Sequence, residues 1–157
     1  MSDSLPTKAE LQKPQMREIH RLLSHYGESH QHPTNEKIHF VCVPVIVWTV
    51  LGLVWAIHPW AAYAGAALAL MYYVNLSIPF ALGMAVMAGI MLVILQDIPQ
   101  AYVLPTAAAV FVVAWIGQFI GHKIEGKKPS FFEDVRYLLI GPLFVLSFLY
   151  RRLNIRY

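Results

Sequence analysis

Histidine is the residue type in this sequence with the widest chemical use, and its distribution is uneven. Five of the seven histidines fall between His20 and His39, and a sixth, His122, ends a later apolar segment. Neutral imidazole is a good ligand for iron, zinc, copper and nickel. The sequence has no HExxH pattern, and Cys42 is its only cysteine, so spacing along the chain does not define a metal site. The folded elements must bring these histidines together.

The segments between the histidines have the composition of membrane helices. Hydrophobic residues make up 57 % of the chain and charged residues 13 %, against ~25 % charged in soluble domains. No Asp, Glu, Lys or Arg occurs from Ile38 to Gln96, or from Ile98 to His122. A soluble protein of 157 residues could not bury so much apolar surface, whereas lipid can solvate it. We therefore predict an all-α integral membrane protein with a single domain over residues 1–157.

Four apolar segments within residues 35–120 predict a bundle of four transmembrane helices. Each is close to the ~20 residues needed to cross the hydrocarbon. Short stretches containing Pro59, Pro79 and Pro99 separate them, which favours tight helical hairpins. The segments are Phe40–Ile57, Trp60–Leu76, Phe80–Leu95 and Tyr102–Ile120.

A shorter amphipathic helix is predicted before the first span. Residues 15–26 place apolar side chains at steps of three and four, with charged residues on the other side. Such a helix lies on the membrane surface or docks on the other helices. A histidine-containing loop completes residues 15–34, and Thr34 or Asn35 is expected to cap the next helix. Residues 1–14 are polar and predicted to be flexible.

The C-terminal part, residues 121–157, is predicted to hold a cytoplasmic loop and an interfacial or re-entrant helix. Its apolar run, Tyr137–Tyr150, is too short to span and is interrupted by Gly141-Pro142. Four crossings place all twelve Lys and Arg residues on one side, which the positive-inside rule makes cytoplasmic. Both termini are therefore predicted to be cytoplasmic, in a bacterial inner membrane or the endoplasmic reticulum.

This topology sorts the histidines by membrane face. His30, His39 and His122 reach the same face, where they could bind a metal or simply contact lipid headgroups. His58 lies on the opposite face, about 30 Å away. His20 lies on the surface helix, where solvent contact is the expectation.

Polar residues near the candidate ligands form a second set. Each could orient an imidazole or add a ligand. Gln118 stands out, because an unpaired amide inside an apolar segment is costly. The set is Glu28, Asn35, Gln118 and Glu125.

Two sequence stretches carry a family resemblance. The first runs from Tyr26 through His39 to Pro44, and the second from Trp115 to His122 with Glu125 and Pro129 following. Both resemble the signatures of the Mpo-type 2-hydroxy fatty acid dioxygenases, named for the fungal enzyme of phytosphingosine breakdown. The resemblance implies a membrane enzyme that uses Fe(II) and O2 to cleave C1–C2 of a long-chain 2-hydroxy fatty acid. The product is the acid one carbon shorter.

The resemblance also implies the site residues. His30, His39 and His122 match the family's histidines, and this makes them the metal ligands and catalytic residues, whereas His25 and His32 fall outside the match. Iron held by three neutral histidines keeps positions open for O2 and the substrate. A basic residue could hold the substrate carboxylate, the candidates being Lys123, Lys127, Lys128 and Arg136. The further candidates for orienting or substrate-contacting residues are Asn35, Gln118, Glu125, Lys123 and Tyr26.

Other function classes fit the sequence less well. A di-metal membrane hydroxylase needs more histidines on one face than this chain supplies. A carrier of charged solutes is disfavoured because the spans contain no charged residue, which leaves a non-enzymatic multi-pass protein as the other alternative. The sequence lacks the aromatic–basic interleaving of nucleic-acid binders. The expected partners are the lipid bilayer and a long-chain 2-hydroxy fatty acid, and a homo-oligomer is compatible with this arrangement.

Overall fold

The computed structural model describes residues 13–28, 30–126 and 137–157. Within these residues the protein is all-helical and contains no strand, which confirms the all-α part of the prediction. Lys127, Lys128, Pro129 and Arg136 lie outside the described residues, as does most of the N-terminus predicted to be flexible. The helices are α1 Lys13–Gly27, α2 Pro33–Ile57, α3 Pro59–Leu76, α4 Ile78–Asp97, α5 Gln100–Glu125 and α6 Gly141–Arg152.

Single extended residues separate α2, α3 and α4. His58 and Ser77 both have β-type backbone angles, and a proline follows each in the first turn of the next helix. Proline is tolerated there because the first backbone N–H groups of a helix have no intrahelical partner. The His58 Nδ1 accepts a hydrogen bond from the Trp60 N–H at 3.2 Å and so caps α3. These breaks fold the chain back and forth.

The most extensive helix contact joins α2 and α5, which run antiparallel. Small residues allow the close approach. A Cβ placed on Gly52 would lie 2.9 Å from the Cβ of Ala107, and one on Gly117 would lie 2.7 Å from Cys42 Sγ. Gly117 and Gly121 form a GxxxG pattern, which is typical of closely packed membrane helices. This packing sets the start of α2 beside the end of α5.

The remaining helices pack around this pair. α6 contacts α1, α2 and α4, and its Leu143 and Ser147 are buried. The Tyr150 hydroxyl donates to the carbonyl of Pro79 at 2.6 Å, which ties α6 to the start of α4. The apolar residues Ile19 and Leu23 of α1 are buried in the same core. Both flanking helices are therefore docked on the protein, and their position in the bilayer stays a prediction.

Three helices, α2, α4 and α5, are long and apolar enough to cross a membrane. Large apolar side chains such as Leu82, Val86 and Val113 are exposed on them, as lipid-facing residues would be. The fourth predicted span, α3, has 18 residues, fewer than each of these three helices, and is not among the candidate spans. The four-span topology stays a prediction on this evidence.

Candidate metal centre

His30, His39 and His122 meet at one end of the bundle. His30 lies in the loop between α1 and α2, His39 in the second turn of α2, and His122 in the last turn of α5. Their candidate ligand atoms all lie within 4.8 Å of one another, and all three side chains are buried. Metal–imidazole bonds of ~2.0–2.1 Å need nitrogen donors roughly 3–4 Å apart. Small side-chain rotations would bring these nitrogens to that spacing.

Two of the three rings are oriented by backbone carbonyls. The Nδ1–H of His30 donates to the carbonyl of Tyr26 at 2.6 Å, and that of His39 donates to the carbonyl of Asn35 at 3.0 Å. A carbonyl can only accept, so Nδ1 carries the proton and Nε2 carries the lone pair. Metal-bound histidines commonly donate their second N–H in this way. The Nε2 of His39 is buried and has no hydrogen-bond partner among the described residues.

Tyr26 supports His30 in a second way. The two rings stack at a centroid distance of 4.2 Å and an interplanar angle of 12°. Tyr26 is itself buried and packs against Phe144 of α6 at 5.1 Å. The C-terminal end of α1 therefore fixes the His30 ring in two ways. The carbonyl of Tyr26 accepts a hydrogen bond from Nδ1–H, and the ring of Tyr26 stacks on the face of the imidazole.

Glu125 joins the end of α5 to the segment that carries His30. Its carboxylate accepts hydrogen bonds from the N–H groups of Gln31 at 2.9 Å and His32 at 2.8 Å, and from Asn35 Nδ2 at 3.0 Å. The carboxylate also faces the start of α2, where the helix dipole favours negative charge. These bonds engage both of its oxygens, so Glu125 acts as a cross-link between chain segments.

Asn35 is a buried member of this cross-link. Its side chain is fully buried, its amide donates to Glu125, and its carbonyl orients His39. Gly121 of α5 faces it, and a Cβ at Gly121 would overlap Asn35 Oδ1. Glycine at this position is what lets α5 approach Asn35 and His39.

Two predicted helix boundaries near the site were wrong. The N-cap of α2 is His32, whose Nδ1 accepts from the Thr34 N–H at 3.2 Å, rather than Thr34 or Asn35. The amide of Asn35 is drawn instead to Glu125. α5 continues past Ile120 to Glu125 and ends where Gly126 takes the left-handed conformation, with φ 75°. His122 therefore lies within the helix rather than after it.

Gln118 faces a small cavity beside the histidines. Its side chain is buried, and its Oε1 has no hydrogen-bond partner among the described residues. The cavity has a volume of about 20 Å³, room for roughly one water molecule. Its lining residues are Tyr26, Val43, Ile46, Trp115, Gln118, Tyr137, Leu138 and Gly141.

Three of these lining residues tie the cavity to the histidines. Tyr26, Val43 and Gln118 are each four residues, about one helical turn, from one of the three histidines. The cavity therefore lies near the three histidines without being lined by them, and the Gln118 amide is its candidate polar contact for a ligand.

The chain matches the 2-hydroxy-palmitic acid dioxygenase Mpo1-like family over residues 16–153. It belongs to this family. The match extends from α1 to the end of α6 and includes all three buried histidines. No curated protein and no solved structure matches the chain.

The other histidines of this family member lie elsewhere. His20 and His25 are exposed on α1, where His25 contacts the hydroxyl of Tyr137 at 3.0 Å. His32 is exposed at the start of α2, and His58 is at the opposite end of that helix. Among the described residues, the three buried histidines form the one group that could hold a metal ion.

Lys123 and Phe144 complete the surroundings of the centre. Lys123, a candidate for holding the substrate carboxylate, is exposed in the last turn of α5. Phe144, which the sequence did not suggest, lies 5.8 Å from His30 between ring centroids. Gly121 was also missed, although its GxxxG spacing with Gly117 was a readable signal for close packing.

Proposed function

We propose that this protein is an iron-dependent dioxygenase that cleaves C1–C2 of a long-chain 2-hydroxy fatty acid. The observation that carries the proposal is the meeting of three buried histidines in a member of the 2-hydroxy-palmitic acid dioxygenase Mpo1-like family. The donors come from regions far apart in the chain, so their convergence is a property of the fold. The product is the fatty acid one carbon shorter.

The donor set fits a divalent transition metal. His30, His39 and His122 would hold it through neutral imidazoles, which suit Fe(II). Bound iron would supply the means to activate O2 at positions that the histidines leave open. The family's reaction class is what favours iron over zinc or nickel, since those metals suit the same ligands.

The side chains around the centre bind and orient the substrate in this proposal. The Gln118 amide faces the small cavity and is placed to hydrogen-bond the hydroxyl or carboxylate of the acid. Val43 and Trp115 line the same cavity and give it an apolar wall. Lys123, at the exposed end of α5, supplies positive charge near the centre that could draw in the carboxylate.

The overall reaction balances without a further reductant. A 2-hydroxy acid and one O2 yield the shorter acid, carbon dioxide and one water. The substrate supplies the four electrons that reduce O2, as C2 becomes a carboxyl carbon and C1 leaves as carbon dioxide. The enzyme therefore needs no electron-donating partner protein, unlike a hydroxylase.

We further propose that the protein is a multi-pass membrane protein with both termini in the cytoplasm. Exposed apolar side chains on the long helices support the membrane setting. The proposed substrate partitions into lipid, and its polar end would sit at the interface beside the histidines. Membrane-embedded acids could then reach the centre without leaving the bilayer.

Product analysis tests the proposed reaction. Protein loaded anaerobically with Fe(II) is given 2-hydroxypalmitate and O2, and the acids are measured by mass spectrometry. We expect the acid one carbon shorter, formed in equal amount to the O2 consumed, and none from His39→Ala. A product with the substrate's full carbon count would instead indicate a hydroxylase, and iron-loaded protein without turnover would contradict any oxygenase.

A further inference from the structure

A second, larger cavity lies between the helices of the bundle. It has a volume of about 190 Å³ and is bounded by α2, α3, α4 and the turn before α6. Its lining is apolar apart from the Tyr73 hydroxyl, which is engaged with the carbonyl of Leu139 at 2.8 Å. The lining residues are Val47, Val50, Leu51, Val54, Ala62, Gly65, Ala66, Ala69, Leu70, Tyr73, Met84, Ala88, Leu138 and Leu139.

The composition of α3 creates this space. Ala62, Gly65, Ala66 and Ala69 recur at steps of three and four on the side that faces the cavity. Small side chains at these positions leave space that larger side chains would fill. Apolar cavities of roughly 150 Å³ in proteins stay dry and bind benzene-sized ligands. The present cavity, at about 190 Å³, is larger than this and can hold part of a hydrocarbon chain.

The large cavity lies next to the small one. Leu138 lines both, and the neighbouring residues Ile46 and Val47 of α2 line one each. From Val43 to Val54 the two cavities follow α2 for roughly 16 Å at 1.5 Å per residue. One bilayer leaflet, about half of the ~30 Å hydrocarbon core, has the same depth. Together the two cavities therefore extend over about the length of an acyl chain in one leaflet.

The large cavity also reaches the protein surface. Gly65 lines it and is exposed, and a Cβ at this position would meet no atom within 4 Å. Leu139, another lining residue, is also exposed. α3 itself carries exposed apolar side chains close to Gly65, among them Leu68 and Met71, so this opening faces the proposed lipid. An acyl chain could enter sideways from the bilayer.

We propose that this cavity binds the acyl chain of the 2-hydroxy acid, with the polar end at Gln118 and the histidines and the methyl end toward Val54. This inference rests on the proposed function. The apolar lining, the length and the position next to the cavity that Gln118 faces favour the substrate chain over a bilayer lipid. Contact along α3 would make chain length a determinant of catalytic efficiency.

A matched pair of variants tests the binding mode. Ala66 is buried and lines the cavity, whereas its neighbour Ala67 is exposed and does not. We expect Ala66→Phe to lower kcat/KM for 2-hydroxypalmitate about tenfold, the loss expected when two methylenes are no longer buried. Activity on 2-hydroxyoctanoate should fall far less, and Ala67→Phe should resemble wild type for both. Equal loss on both acids, or equal effects of the two variants, would overturn the proposal.

A milder variant covers the case in which Ala66→Phe fails to fold. Gly65→Leu adds a side chain where a Cβ meets no atom, so it should fold normally and narrow the opening. We expect it to lower kcat/KM for the long acid more than for the short one. Gly89→Leu is its control, because a Cβ there also meets no atom and Gly89 does not line the cavity.

Photolabelling separates this inference from the proposed reaction, because it needs no turnover. The probe is a 2-hydroxy fatty acid with a diazirine near its methyl end, added to the iron-loaded protein under anaerobic conditions. We expect labelling of α2 or α4 near Val54 and Ala88, suppressed by excess 2-hydroxypalmitate but not by phospholipid. Labelling outside the cavity, or equal suppression by phospholipid, would reject the acyl site even if the enzyme is active.

Discussion

At the residue scale, the candidate centre depends on which ring nitrogen each histidine presents. The carbonyls of Tyr26 and Asn35 hold the Nδ1–H groups of His30 and His39, so Nε2 is the nitrogen that can bind a metal. Fixing the tautomer before metal binding lowers the reorganisation that binding requires. The chain achieves this with backbone groups four residues away, which local helical geometry supplies.

Replacing one ligand should remove the metal. We expect His39→Ala to lose iron after anaerobic reconstitution, because two imidazoles alone leave the ion held mainly by water. His58→Ala is the control, since that side chain caps α3 at the opposite end of the bundle. Metal content per protein can be measured by mass spectrometry of the purified samples. Stoichiometric iron in His39→Ala would exclude this centre.

Replacing Glu125 should weaken metal binding, although Glu125 is not one of the three proposed ligands. In Glu125→Gln an amide NH2 would face N–H donors that now meet a carboxylate, so the loop carrying His30 should shift. Loss of such supporting contacts typically weakens metal binding about 10–100-fold. Competition with a chelator measures this affinity.

The matched control for this change is Glu28→Gln. Glu28 is exposed and its substitution alters charge in the same way. Iron affinity should stay near that of wild type in Glu28→Gln. Equal weakening in both variants would show that net charge, not the cross-link, controls iron binding.

At the element scale, the α2–α5 contact holds the two helical histidines together. A Cβ at Gly121 would overlap the side chain of Asn35, so we expect Gly121→Ala to push the helices apart. Such overpacking typically destabilises by about 1–3 kcal/mol. Iron affinity should fall as well, because His39 and His122 lie at this contact. Thermal denaturation in detergent and iron titration measure the two effects.

Gly89→Ala is the control for the glycine change. A Cβ at Gly89 meets no atom, so alanine there should be neutral or stabilise the helix by about 0.5–1 kcal/mol. If Gly121→Ala behaved like Gly89→Ala in both measurements, close helix approach would not be what positions the centre.

The helices themselves were largely predictable from the sequence. Apolar runs and the prolines at positions 59 and 79 located the helix breaks, because a proline fits the first turn of a helix but not its interior. The ends near the centre were not predictable from hydropathy, since they lie in polar sequence. There α2 begins at the His32 cap, and α5 ends at the left-handed Gly126.

The candidate centre was predictable only in part for a related reason. Membrane topology and the family resemblance selected His30, His39 and His122, and the structure brings these three together. The hydrogen bonds of Glu125 reach residues 90 to 94 positions earlier in the chain, so no local pattern reveals them. Contacts of this kind depend on the final packing of α5 against α2.

At the scale of the whole molecule, the centre constrains the topology. His39 near the start of α2 and His122 near the end of α5 are adjacent, so both must lie at the same membrane face. If α2 and α5 each cross the bilayer, the chain between them must cross an even number of times. If α4, which is long and apolar enough, crosses as well, α3 must also cross.

This requirement predicts four crossings, and cysteine labelling can test it. In a Cys42→Ala background, single cysteines replace Trp60 at the start of α3, Asp97 at the end of α4, or Arg156 near the C-terminus, all exposed positions. A membrane-impermeant maleimide added to intact cells should label Trp60→Cys and Asp97→Cys, and Arg156→Cys only after permeabilisation. If α3 does not cross, positions 60 and 97 would lie on opposite faces, and only one of them would react in intact cells. That outcome would also separate His39 from His122 across the bilayer, so a single labelling experiment tests both the topology and the candidate centre.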